Sequence, residues 1–218
     1  MKKFIAGPGI ILLIFIVFSV MAATYNVDDI GPMDTEVGFS SLNGAMRDLL
    51  PLNPLFYDLS EYLGYLAIAA AGAFGVLGAA QMIKRKSLLK VDKKILAMGG
   101  LYVLLAAAYL LFEVVVINYR PVIMPGETLP EASFPSSHTM LVCVIMGGAF
   151  VVMKDYVKNR GLRVALQIAA LAVAALTVVA RLMSGVHWLT DIVGGVILSL
   201  ALVTLYSEVC SIIESKKE

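Results

Sequence analysis

The chain contains little charge: Asp, Glu, Lys and Arg make up 15% of its 218 residues, whereas hydrophobic residues make up 60%. An ordinary soluble domain has about 25% charged and about 45–50% apolar residues, so this composition excludes a soluble globular protein. The net charge of +1 provides no basic face for a nucleic-acid partner. The two cysteines, Cys143 and Cys210, are too few for a disulfide framework and lie inside apolar runs. The sequence therefore indicates a protein embedded in a membrane.

Six apolar stretches are each near the roughly 20 helical residues that cross about 30 Å of hydrocarbon. They lack the period-2 alternation of a membrane β-barrel, so we predict an all-α, polytopic bundle of six transmembrane helices. The predicted spans are Phe4–Ala23, Tyr62–Ile83, Ile95–Ile117, Ser136–Met153, Leu162–Ala180 and Ile192–Ile213. We treat residues 1–218 as a single membrane-embedded domain with an uncleaved first helix. A cleaved secretory signal is the alternative for the first span.

Basic residues predict which side of the membrane each connection faces, because cytoplasmic connections retain Lys and Arg. All but three of the 17 Lys and Arg lie at the two termini, in the second connection or in the fourth. We therefore expect both termini to be cytoplasmic. The three remaining residues, Arg47, Arg120 and Arg181, fall in connections predicted to lie outside.

The first outer connection, residues 24–61, is long and acidic. A helical apolar stripe within it is stopped by Pro51 and Pro54. The stripe consists of Leu42, Ala45, Met46 and Leu49. This short helix could lie in the membrane interface or pack on the bundle as a loop helix.

Ionisable residues at the ends of membrane helices need a specific reason to be there, and here they converge on the outer side. The third outer connection carries Arg120-Pro121 and leads into Pro135-Ser136-Ser137-His138. The next outer connection contains Arg181, with His187 and Asp191 six and ten residues further on. Each residue alone fits a structural role, such as a helix cap or a headgroup anchor. Together they include both histidines of the chain, and anchoring does not account for that.

This array resembles the type-2 phosphatidic acid phosphatase family, the lipid phosphate phosphatases. The three motifs of that family are Lys-x6-Arg-Pro, Pro-Ser-Gly-His and Ser-Arg-x5-His-x3-Asp, and their counterparts here fall within residues 113–191. Ser137 stands where the family usually has Gly, and Ala180 stands where it has Ser. Glu113 occupies the position of the first-motif Lys, seven residues before Arg120.

The resemblance implies a catalytic mechanism that uses no metal ion and no cofactor. His187 would attack phosphorus and form a phosphohistidine, while Asp191 would hold its other ring nitrogen. His138 would protonate the leaving alkoxide and then activate water. The phosphate-binding residues would be Arg120, Arg181, Ser136 and Ser137. We expect His187 and Asp191 to share a helix face if the sixth span starts near His187.

Glu113 has two readings, because a carboxylate should repel a phosphate. It could form a structural salt bridge or hydrogen bond to Arg120, Asn118 or Arg181. Alternatively, it could meet a positive group on the substrate, so that the preferred lipid carries an amine.

The predicted function is an integral-membrane lipid phosphate phosphatase of the cell membrane, with its active site on the extracytoplasmic side. Phosphatidate, phosphatidylglycerol phosphate and polyprenyl diphosphate all fit as lipid substrates. A lipid phosphotransferase using the same intermediate and a non-catalytic protein that binds or moves anionic lipids are the alternatives. The oligomeric state cannot be read from the sequence.

Overall fold

A computed structural model describes residues 6–216 of the protein. Its helices are α1 (Ala6–Thr24), α2 (Ser40–Leu49), α3 (Pro54–Arg85), α4 (Lys93–Val114), α5 (Ser137–Tyr156), α6 (Arg160–Met183) and α7 (Leu189–Ser215), with single-turn 3₁₀ segments at Pro32–Asp34 and Leu88–Lys90. Lys2, Lys3, Phe4 and Lys217, on which the first span and the predicted topology partly depend, lie outside the described residues.

Every helix except α2 is long and apolar enough to cross a membrane. No β-strand occurs within residues 6–216. The prediction of an all-α protein with six spanning helices is therefore confirmed. The side of the membrane on which the termini lie remains a prediction.

Helix α5 forms the centre of the bundle. It packs against α3, α4, α6 and α7, while α1 packs against α7. Half of the apolar window of α5 is buried inside the protein, a larger share than in any other span. The other spans expose many large hydrophobic side chains, as helices that face lipid do. Residues at the start of α5 are consequently attached to the best-packed helix.

Helix α3 begins at Pro54, eight residues before the predicted start at Tyr62, so the first outer connection is shorter than residues 24–61. Asn53 caps the helix by accepting a hydrogen bond from the Leu55 N–H (3.1 Å), and proline suits the first helical position. The apolar pattern began too late because it excluded the polar Ser60 and Glu61. This correction moves Glu61 from a loop onto a membrane-spanning helix.

Helix α2 matches the predicted short helix, but most of its apolar stripe does not pack on the bundle. Leu42, Ala45 and Leu49 are exposed. The buried contact is polar instead, because Asn43 donates to Thr190 Oγ1 (2.9 Å) at the start of α7. The helix therefore packs on the bundle through Asn43 and the half-buried Met46, whereas the other three residues of the stripe face outward.

The α4–α5 connection folds over the start of α7. Its two arms pair where the Arg120 N–H donates to the Glu131 carbonyl (2.9 Å). Trp188, directly before α7, donates its indole N–H to the Tyr119 carbonyl (2.7 Å). These contacts hold the predicted motif segments against one another at one end of the bundle.

Candidate active site

His187 lies in the turn between α6 and α7, two residues before α7 begins. Gly185 makes this turn possible: its φ is +71°, and a Cβ there would lie 2.8 Å from the Leu52 nitrogen. Both constraints favour glycine. The His187 side chain is 1% exposed, and neither ring nitrogen has a hydrogen-bond partner among the described residues. The turn thus buries an imidazole whose nitrogens the described part of the fold does not use for hydrogen bonds.

Asp191 lies beside this ring, with its Oδ2 3.5 Å from His187 Nδ1. Two donors fix the carboxylate: the Trp188 N–H to Oδ2 (3.0 Å) and the Asn118 amide to Oδ1 (3.1 Å). The two residues meet at the expected i, i+4 spacing, but they do not share a helix face, because His187 precedes α7 and Asp191 lies in the first turn of α7. The two side chains meet at the helix N-terminus, which favours a carboxylate. With Nδ1 facing Asp191, Nε2 is the ring nitrogen that has no carboxylate beside it.

Two arginines and the second histidine act electrostatically on His187. Burial, reinforced by the charges of Arg120 and Arg181 and by His138, holds the pKa of His187 well below its usual value. The ring is therefore neutral at pH 7, as a nucleophile requires. The structure brings both histidines and both motif arginines to the same end of the bundle.

Arg181 is almost completely buried, at 1% exposed, and contacts three neighbours. Its Nη1 donates to Ser60 Oγ (2.8 Å) and to Glu61 Oε1 (3.1 Å), and its Nη2 lies 2.7 Å from His138 Nδ1. The guanidinium also lies over the ring of Tyr57, 5.0 Å from its centre. A guanidinium has five N–H donors, so the Nε donor and one Nη2 donor remain free. Arg181 Nε is buried and has no partner among the described residues.

The contacts of His138 define its protonation. Because an arginine can only donate, His138 Nδ1 must accept from Arg181 and carries no proton in this arrangement. Its Nε2 lies 3.0 Å from Glu61 Oε1 and therefore carries the proton. His138 is neutral in this arrangement, and Nδ1 can take up a proton only when Arg181 no longer donates to it.

Arg120 is also paired with a carboxylate, with 3.0 Å between its Nε and Glu131 Oε2. Its Nη1 is buried without a hydrogen-bond partner in the described part of the chain. Each motif arginine thus has a carboxylate partner and at least one free donor.

The two serines before His138 have different positions. Ser136 is fully buried and caps α5, with its Oγ accepting from the Thr139 N–H (3.4 Å), while its own N–H donates to the Asp191 carbonyl (3.0 Å). Ser137 is partly exposed and lines a cavity next to Arg120. Of the predicted pair, Ser137 is therefore the better placed to meet a ligand.

Glu113 lies in the last turn of α4 and is exposed. The predicted salt bridge to Arg120 or Arg181 does not form, because Glu131 and Glu61 occupy those arginines. Glu113 forms no ion pair with any Lys, Arg or His among residues 6–216.

Two cavities meet at this end of the bundle. The first, which we call the Arg120 pocket, has a volume of about 250 Å³ and is lined by Tyr109, Phe112, Glu113, Arg120, Glu131, Ala132, Ser133, Phe134, Pro135, Ser137 and Met140. The second, the apolar groove, has a volume of about 540 Å³ and is lined by Ile68, Ala71, Tyr102, Leu105, Ala106, Tyr109, Ser137, His138, Met140, Leu141 and Ile145. They share Tyr109, Ser137 and Met140, so a polar pocket adjoins an apolar groove that continues along the spanning helices.

Sequence reasoning missed three polar contributors to the site: Glu61, Glu131 and Asn118. Asn118 was named only as a partner for Glu113, whereas it holds Asp191. Glu61 was counted only as an acidic loop residue. The rule that singled out Glu113, a carboxylate at the end of an apolar span, also applies to Glu61 and could have identified it.

Comparisons with known proteins give one family match and one similar fold. Residues 113–211 match the PAP2 superfamily. A search of curated proteins finds no match. The fold is similar to that of a solved structure described as the first transmembrane PAP2 type phosphatidylglycerolphosphate phosphatase from Bacillus subtilis, with a TM-score of 0.65 and 21% sequence identity over 95% of this chain and 96% of the other. The protein is thus a multi-pass membrane protein in which residues 113–211 match the PAP2 superfamily, the family that its motifs resemble.

Proposed function

We propose that the protein is a lipid phosphate phosphatase in which His187 is the nucleophile. The observation that carries this proposal is the buried, neutral His187, whose ring nitrogens lack hydrogen-bond partners among residues 6–216 and which lies near two arginines with unused donors. The proposal treats the chain as one membrane-embedded phosphatase domain and uses protein side chains for every step.

In the first half-reaction, His187 Nε2 donates its lone pair to phosphorus and the bond from phosphorus to the lipid oxygen breaks. Arg120 and Arg181 would hold the phosphate oxygens through their free donors, and Ser137 could add a hydroxyl. Asp191 keeps the attacking ring in the correct tautomer and stabilises its positive charge in the phosphohistidine.

His138 would supply the proton that the leaving alkoxide needs. In the structure its Nδ1 accepts from Arg181, which prevents protonation at that nitrogen. A phosphate that takes over Arg181 donors would free Nδ1, and Glu61 would stabilise the resulting imidazolium through Nε2. Phosphate binding would then be linked to the protonation of His138 through the guanidinium of Arg181.

The second half-reaction regenerates the enzyme. His138, neutral after protonating the alcohol, takes a proton from water while the water oxygen attacks phosphorus. The bond from phosphorus to His187 breaks, and inorganic phosphate leaves. The net reaction consumes one water and yields the lipid alcohol.

The two adjoining cavities support an amphiphilic substrate. A lipid could place its phosphate next to Arg120 while its hydrocarbon tail follows the apolar groove between α3, α4 and α5. The solved structure of similar fold is described as acting on phosphatidylglycerol phosphate. That lipid belongs in the test panel with phosphatidate and polyprenyl diphosphate.

We place the protein in the cell membrane, with the site on the extracytoplasmic side. The distribution of Lys and Arg supports this orientation, because the connections at the opposite end of the bundle are the basic ones. An alcohol that replaces water in the second step would make the same site a phosphotransferase.

The test is phosphate release from the lipid panel in detergent with a chelator, comparing wild type with His187→Ala. We expect release from at least one lipid and a loss of about 10³-fold or more in the variant. Rapid quenching should trap an alkali-stable, acid-labile phosphoprotein in wild type alone. The exposed Glu127→Gln variant serves as a matched control and should behave as wild type.

Equal release by wild type and His187→Ala would contradict the assignment of the nucleophile. No release from any lipid would favour a protein that binds anionic lipids without cleaving them.

A further inference from the structure

The charges at the site do not balance for a phosphate ligand. Arg120 is paired with Glu131, and Arg181 is paired with Glu61. His187 is neutral. The Asp191 carboxylate lies beside the His187 ring and accepts hydrogen bonds from the Trp188 N–H and the Asn118 amide. Glu113 therefore adds a further negative charge beside a site that should receive a phosphate with nearly two negative charges.

The position of Glu113 gives it no structural advantage. It lies in the last turn of α4, where the helix dipole disfavours a carboxylate, and no basic residue shares that turn. The side chain is exposed, and its polar neighbour in the fold is the hydroxyl of Tyr109, one turn earlier on α4. The Tyr109 hydroxyl is neutral, and no Lys, Arg or His among residues 6–216 pairs with Glu113, so the negative charge of Glu113 is left for a positive group from outside the chain.

The surroundings of Glu113 indicate what that partner is. Glu113 lines the Arg120 pocket together with the aromatic residues Tyr109, Phe112 and Phe134, while the second carboxylate of the pocket, Glu131, is paired with Arg120. Carboxylates combined with aromatic faces are the groups that recognise ammonium ions. The pocket volume of about 250 Å³ is several times the roughly 30 Å³ that one water occupies in the liquid, so a small organic group fits.

We propose that the Arg120 pocket is a subsite for an ammonium group of the substrate, which makes the preferred substrate a lipid phosphomonoester that carries a primary amine close to its phosphate. This inference rests on the proposed function. Arg120 lines the pocket and also acts electrostatically on His187, so it links the two positions. A phosphate held by Arg120 would leave an amine a few bonds away within reach of Glu113.

The test compares two lipids that differ only in the amine: a long-chain 2-aminoalkyl phosphate and its N-acetylated form. Phosphate release is measured in detergent with a chelator for wild type, Glu113→Gln and Glu113→Lys. We expect wild type to have at least a tenfold higher kcat/KM for the free amine. Glu113→Gln should lose most of this preference with little change for the acetylated lipid, and Glu113→Lys should favour the acetylated lipid.

Glu127→Gln is the matched control, because this exposed glutamate of the same connection lies outside the Arg120 pocket. It should keep the preference. Equal kcat/KM values of wild type for the two lipids, or equal losses on both in Glu113→Gln, would overturn the proposal. A second assay omits the chelator: if added Mg²⁺ raises release from the acetylated lipid by wild type but not by Glu113→Gln, Glu113 binds a metal ion, and this result would also overturn the proposal.

A binding measurement separates failure of this inference from failure of the proposed function. If wild type releases phosphate from neither lipid, the affinities of both lipids for wild type and for Glu113→Gln are measured in the same detergent. Tighter binding of the free amine that Glu113→Gln abolishes would support the subsite, and equal binding would refute it.

Discussion

The two ends of the helix bundle both contain buried charge, but they satisfy it differently. At one end, Lys94 contacts both oxygens of Asp155 at 2.7 Å and Glu214 Oε1 at 2.5 Å. The three acceptors match the three donors of an ammonium group. Lys154 adds a second contact to Glu214, at 2.8 Å. This Lys94 cluster joins α4, α5 and α7 using protein groups alone.

At the other end, several buried polar atoms have no hydrogen-bond partner among residues 6–216. Arg120 Nη1, Arg181 Nε and both nitrogens of His187 have no hydrogen-bond partner in the described part of the chain. Folding normally satisfies such atoms, so leaving them unsatisfied has a cost in stability. The contrast indicates that the Lys94 cluster serves the fold, whereas the site end is arranged for a ligand that accepts hydrogen bonds.

Glu61 combines a structural contact with a proposed catalytic one. It pairs with Arg181, and it lies beside the proposed acid His138. Glu61→Gln keeps the size and the acceptor oxygen but removes the charge that favours an imidazolium. We expect kcat for an alkyl phosphate lipid to fall about 10²-fold, the size of a general-acid contribution. The fall should be much smaller for p-nitrophenyl phosphate, whose leaving group departs without a proton.

Asp58→Asn is the control for this prediction, because Asp58 is an exposed carboxylate on the same helix. It should leave both activities unchanged. Equal losses on the two substrates in Glu61→Gln would show that Glu61 supports the structure of the site rather than the acid.

Lys94→Met, unlike Glu61→Gln, should lower the stability of the protein and leave its catalytic activity unchanged. The variant removes three charged hydrogen bonds, but Asp155 and Glu214 are partly exposed and can be solvated. We expect the free energy of unfolding to fall by about 1–3 kcal/mol. Thermal unfolding in detergent measures this loss, and kcat should stay within about twofold of wild type.

The neighbouring Lys93→Met variant makes the comparison sharper, because Lys93 is exposed. Its melting temperature should match that of wild type within error. A large loss of activity in Lys94→Met at a temperature where the variant is folded would break the distinction between the two ends.

The sequence predicted the six spans because each is a long apolar run. The site residues that it proposes come from the spacing of motifs that resemble a known family, and their catalytic roles stay a prediction. It failed where polar residues face inward: the start of α3 was placed too late because Ser60 and Glu61 looked like a loop, although both contact Arg181. The pairing of Glu61 with Arg181 joins residues 120 positions apart. No local pattern records a contact of that range, and the pairing depends on how the spanning helices pack.

The smallest effect that we predict is a displacement of the pH profile. Burial and the nearby positive charges hold the pKa of His187 well below its usual value of about 6.5. His187 therefore stays neutral until the pH falls well below about 6.5. The acidic limb of kcat/KM that reports this residue should therefore lie below pH 6.5. Arg120→Gln removes one of the positive charges, so the limb should move to higher pH while the maximal rate falls.

The ionisation of the substrate phosphate also contributes near pH 6, but it is the same for both proteins when one lipid is used. The difference between the two profiles therefore isolates the protein group. A limb that stays in place or moves to lower pH in Arg120→Gln would show that Arg120 does not act on the attacking imidazole. In that case the charge of Arg120 would not influence His187. The two ends of the bundle would then differ only in whether their buried polar atoms have hydrogen-bond partners.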